Sequence, residues 1–303
     1  MRQRFPYRLL CICFTVLMAT VLLSAGDCLA QKRLALLIGN SAYKNGPLKN
    51  PVNDVAAMET ALSKSGFTVM VLKNADRAAI GRAIDTFGSK LKSYDVGLFY
   101  FSGHGLQVDG INYLCPLGMN IQGQSDIPYE AIDAGKVLAK MEDAGNRMNV
   151  VILDACRNNP FKRSFRSGRN GLAQMDAPTG SFIAFATSPG RVAYDGKGRN
   201  SPYVTHMINN MDRKGMTIEQ FFKQVRRGVM QDTEKKQVPW ESSSLVGEFF
   251  FAGTGSSGSS SSSSSSPPQA SPQSPANQQQ YTPPPPPKPK KNKNEQVMDM
   301  LLN

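Results

Sequence analysis

Residues 96–105 read VGLFYFSGHG and residues 149–156 read NVVILDAC, and the fold class turns on these two segments. Each is a short, continuous apolar run closed by small or polar residues, the pattern of a strand buried on both faces. Each also ends in a side chain able to do chemistry: His104 between Gly103 and Gly105, and Cys156 after Asp154 and Ala155. Strands covered on both faces belong to mostly parallel sheets, and such sheets place functional groups at the carboxyl ends of their strands. The two segments therefore bring an imidazole and a thiol to the same edge of one sheet.

Working outward, short apolar runs alternate with amphipathic stretches from Gln31 to about Ala252, the rhythm of βαβ units. Leu34 to Ile38 and Phe67 to Leu72 read as strands. Between them Val52, Val55, Met58, Ala61 and Leu62 recur at helical spacing until Gly66 stops the helix. Arg77 to Leu91 is a second helix with Ile80, Ile84, Phe87 and Leu91 on one face. Leu106–Val108 and Ile111–Leu114 flank Asp109-Gly110, a hairpin signal. A helix is expected from about Tyr129 to Ala144, a strand from Ser181 to Thr187, helices near Tyr203–Met211 and Ile218–Met230, and a last strand at Phe249–Phe251.

Outside this region the composition changes. Residues 1–30 read as a signal peptide: Arg2, Arg4 and Arg8 precede an uncharged apolar run, Leu9 to Ala25, and Cys28-Leu29-Ala30 resembles a cleavage site. Export to the periplasm or the medium is the expectation, with Gln31 opening the mature chain. If retained, the same run would be a short membrane anchor. Residues 253–303 pass from Gly/Ser through Pro/Ser/Gln to Pro283–Pro287 and then Lys288, Lys290, Lys291 and Lys293. Nothing there builds a core, so a disordered tail able to engage a partner through a polyproline helix is expected. Its apolar end, Val297, Met298, Leu301 and Leu302, has the spacing of one short amphipathic helix.

The formal charge is +12, of which residues 31–252 carry +8 after the leader's three arginines are set against Asp27 and the tail's four lysines against Glu295 and Asp299. No basic helix face or aromatic platform accompanies it, so no nucleic-acid partner is expected. Cys11, Cys13 and Cys28 leave with the leader, and Cys115 and Cys156 are too few for a disulfide framework. A 115–156 bridge would consume the thiol of interest. A thiol becomes nucleophilic near neutral pH only beside a base or cation. Of the two histidines, His104 stands at a strand end, whereas His206 lies in a helical stretch and reads as a surface or packing residue.

Ser102-Gly103-His104-Gly105, Asp154-Ala155-Cys156, Ile38-Gly39-Asn40 and Asn53-Asp54, in that setting, resemble the caspase-like cysteine peptidases, most closely the bacterial metacaspase-like (orthocaspase) branch. The resemblance covers about Arg33 to Phe251. It implies an α/β three-layer sandwich, a mostly parallel sheet with helices on both faces, divided into a p20-like part (about 31–160), a basic loop (about 157–175) and a p10-like part (about 180–252). It also implies Cys156 as nucleophile and His104 as its base in a dyad, with the oxyanion held by the backbone amides of Gly105 and Cys156. Asp54, Ser102 and Asp154 match a substrate-binding pocket for a basic P1 residue, so the partners are protein or peptide substrates with Arg or Lys at P1; alternatively, Asp54 serves only within the fold. Arg157, Lys162, Arg163, Arg166 and Arg169 would then offer self-processing sites. Calcium-dependent relatives carry a dense acidic stretch after the histidine. Gln107 to Gln124 holds only Asp109, so no metal or cofactor requirement is expected. A catalytically silent caspase-like binding module, recruited through the tail, is the competing function.

Overall fold

The computed structural model describes residues 31–156, 171–189, 191 and 193–253. The segment 1–30 expected to be a signal peptide, most of the expected basic loop and the tail from residue 254 lie outside the described residues. Six strands run in the order β2-β1-β3-β6-β7-β8: β1 (Arg33–Gly39), β2 (Phe67–Lys73), β3 (Val96–Val108), β6 (Met148–Cys156), β7 (Ser181–Phe185) and β8 (Trp240–Ser243). All neighbours in this path are parallel except β7 and β8. Beyond the parallel ladder β3 turns into a hairpin with β4 (Ile111–Leu114), which pairs the two-residue β5 (Ile132–Asp133).

Strand periodicity divides the core in two. Ala35 and Leu37 face a layer made by α1 (Pro51–Lys64), α5 (Pro202–Ile208) and α6 (Ile218–Asp232), whose Val55, Met58, Tyr203, Phe222 and Val225 are buried there. Leu34, Leu36 and Ile38 face α2 (Arg77–Leu91) and α4 (Ala134–Glu142), with Ile80, Phe87, Leu91, Leu138 and Met141. This is the expected three-layer α/β sandwich. The helix starts are set by local chemistry. Pro51 occupies the first turn of α1, Asp76 accepts the Ala79 amide ahead of α2, and Thr217 with Gln220 closes a capping box on α6.

Two expectations are corrected. The helix from about Tyr129 to Ala144 is broken into α3 (Ile127–Glu130), β5 and α4. Asp133 accepts the Gly135 amide and restarts the helix, while Ile132 and Asp133 pair with Leu114 and Tyr113. Phe249–Phe251 is not a strand. Phe250 makes a single bridge to Thr217, and Phe249 and Phe251 wedge into an aromatic cluster with Phe67 and Phe221. The last strand is β8, which is held to α6 by the Arg226–Glu241 ion pair and by Arg226 Nε donating to the Pro239 carbonyl.

Candidate active site

The β3–β6 ladder pairs Ser102 with Asp154, Gly103 with Ala155 and His104 with Cys156. Neighbouring strands lie about 4.8 Å apart, so the backbone at 156 stands beside the backbone at 104. His104 is only 2 % exposed. Both flanking glycines are required by close neighbours: a Cβ at 103 would stand 2.5 Å from the Tyr43 hydroxyl, and one at 105 would stand 2.8 Å from the Ala155 Cβ. Gly105 itself begins the pairing with β4, opposite Leu114.

Sequence reasoning found no third group for the imidazole, and the structure supplies one. His104 Nε2 lies 2.6 Å from the Gly46 carbonyl oxygen. A carbonyl only accepts, so Nε2 carries the hydrogen and Nδ1 becomes the nitrogen able to take a proton. Gly46 has φ +73°, a left-handed conformation that glycine adopts without strain. Because the contact is made by backbone, no residue type announced it. The loop that presents it is fixed by the Asn40 amide donating to the Ser102 carbonyl and by the Asn40 side chain, which bonds the backbone of Ala75 and Cys115.

Asp54 and Asp154 are brought together with Ser102, all three buried. Asp54 Oδ1 accepts from Asn200 Nδ2 and the Ser201 amide, both at 2.9 Å, and Asp154 Oδ2 accepts from Ser201 Oγ at 2.7 Å. Asp54 Oδ2 is buried without a hydrogen-bond partner. Burial, then the charge of Asp54, pushes the Asp154 carboxyl up to about 8. Burial likewise raises Asp54 to about 6, its hydrogen bonds from Asn200 and Ser201 opposing the shift. The Asp195 carboxylate caps the Lys49 and Asn50 amides nearby and adds to the negative potential. Asn200, Ser201 and Asp195 went unrecognised in the sequence, where they sit in a polar loop without periodicity.

Cys115 forms no disulfide, and burial pushes its thiol up to about 12, so it stays protonated at neutral pH. His206 lies on α5, 2.8 Å from Asp232, remote in sequence from these groups. Among the described residues no cluster of three or more His, Cys, Asp or Glu could hold a metal ion.

The caspase-domain profile of the peptidase families matches residues 32–250, the whole layered sandwich and both strand tips. The chain belongs to the caspase-domain family. This caspase domain is similar to the mucosa-associated lymphoid tissue lymphoma translocation protein 1 of Homo sapiens, with 31 % identity over 133 residues, 43 % of this chain and 15 % of that protein. The Mus musculus homolog matches at 31 % over 136 residues, 44 % of this chain and 16 % of its own length. The chain thus spans a small part of these relatives.

Proposed function

We propose that this caspase domain is a cysteine endopeptidase cleaving after Arg or Lys, of the bacterial metacaspase-like branch. The observation that carries the reading is the pairing of His104 with Cys156 at the last position of the β3–β6 ladder. The thiol passes its proton to Nδ1, and the thiolate attacks the scissile carbonyl carbon while the amides of Gly105 and Cys156 hold the oxyanion. Collapse breaks the C–N bond, and the imidazolium gives its proton to the leaving amine. Water, deprotonated by the same imidazole, then adds to the thioester and releases the carboxylate product and the free thiol. The Gly46 carbonyl keeps the ring in the tautomer that this reaction order requires.

Asp54 and Asp154 form the S1 pocket, and the unpartnered Asp54 Oδ2 is the natural acceptor for a guanidinium or ammonium hydrogen. The many basic residues from Arg157 to Arg169 are then self-processing sites. Export by the leader, a partner for the Pro/Lys-rich tail and independence from calcium complete the proposal. The test is intact-mass analysis after exposure to an arginyl acyloxymethyl ketone. One equivalent of adduct mapped to Cys156, absent in Cys156→Ala and in an aspartyl-probe control, is expected. Labelling that persists in Cys156→Ala would contradict it, and equal labelling by the aspartyl probe would remove the basic preference.

A further inference from the structure

We propose that Tyr43 is the positioning residue of the histidine base, an inference that rests on the reading of His104 given above. The Tyr43 ring packs against the imidazole, centroids 4.4 Å apart and planes tilted by 49°. Its hydroxyl accepts from the His104 amide at 3.0 Å and donates to the Cys115 carbonyl at 2.8 Å. It therefore ties the backbone of the base to the residue that follows β4, and the Cys115 amide returns the tie by donating to the His104 carbonyl at 2.9 Å. The Gly103 side of the site is shaped to admit it, because any Cβ there would collide with that hydroxyl.

The tyrosine is itself held. The Ser41 and Ala42 amides donate to Asn74 Oδ1, and the Tyr43 and Leu48 amides donate to the Ser41 carbonyl. The same loop carries Gly46, so one turn grips His104 at two points, its amide through Tyr43 and its ring through the Gly46 carbonyl. Losing the Tyr43 hydroxyl removes that tie between the His104 amide and the Cys115 carbonyl, at the end of the parallel ladder. The imidazole then moves relative to residue 156, and sub-ångström errors in such a pair lower turnover steeply.

Tyr43→Phe, Gly103→Ala and the double variant of the full chain test this, each checked for folding by circular dichroism and melting. With an arginyl-coumarin peptide, Tyr43→Phe is expected to lower kcat about tenfold and leave KM within about twofold. The pH midpoint of Cys156 alkylation by iodoacetamide should rise toward the free-thiol value of about 8.5. Both single variants disturb the Tyr43 hydroxyl, the Gly103 variant also pressing on the Phe101 ring, so the double variant should be no slower than Gly103→Ala alone. Unchanged kcat and midpoint in Tyr43→Phe would overturn the inference. So would kcat, KM and melting temperature that change together at a constant midpoint, since that is a merely structural effect. Should Tyr43→Phe not fold, Gly103→Ala is read by the same two measures. If the wild-type chain cleaves no peptide after Arg, the peptidase reading fails by itself, and the alkylation midpoints still decide the role of Tyr43.

Discussion

At the scale of single residues, Asp54 and Asp154 hold protons that ordinary aspartates release below about pH 5. Their folded values, about 6 and about 8, lie above the unfolded one. The stability they contribute is therefore fully present below about pH 4 and is lost as pH rises through 6 and then 8. Melting temperature should fall over that window in the wild type and flatten in Asp54→Asn/Asp154→Asn; an equal slope in both would refute the linkage. A cationic P1 needs the ionised pair, so the ratio of kcat/KM for Arg over the neutral isostere citrulline should climb between pH 6 and 8. A ratio independent of pH would separate the acid pair from P1 recognition. Asp154 and His104 were legible because an ionisable group closing an apolar strand is conspicuous. Gly46 was not, since it acts through its carbonyl, and Ser201 went unrecognised in a polar loop, although its hydroxyl also caps α5 by accepting the Val204 amide.

At the scale of elements, the parallel core was readable from continuous apolar runs, and the errors came where tertiary pairing outvoted periodicity. Ile132 and Asp133 fit a helix by pattern but pair with β4. Phe249 and Phe251 have strand-like spacing, yet their rings complete the cluster around Phe67 and Phe221, and Arg33 lies over the Phe249 ring at 4.8 Å. The layer of α5 and α6 meets the sheet through aromatic as well as aliphatic packing: Phe222 of α6 stacks on Phe182 of β7 at 5.0 Å, beside Val204, Met207 and Val225. Phe222→Ala should cost about 3–5 kcal/mol, read from urea unfolding. A loss under about 1 kcal/mol would show that this layer is not part of the cooperative core.

At the scale of the whole molecule, the sheet runs across the basic loop, because β6 before it pairs with β7 after it. The acid pair also crosses it: Asp54 and Asp154 precede the loop, whereas Asn200 and Ser201 follow it. A chain cut between 157 and 169 should therefore remain one particle in gel filtration and separate only in denaturant. Separation under native conditions would contradict the shared sheet. None of this cross-loop bonding was visible in the sequence, which orders residues along the chain and says nothing of which strand comes next in space. What it did carry was the pair of strand tips.

That pair is most directly tested by a double-variant cycle on His104 and Cys156, with kcat/KM measured on an arginyl peptide. If the imidazole and the thiol act as one unit, His104→Ala, Cys156→Ala and the double variant should each lose on the order of 10³-fold or more, and the double variant no more than the worse single. Losses that multiply, or a His104→Ala variant with wild-type turnover, would contradict the account.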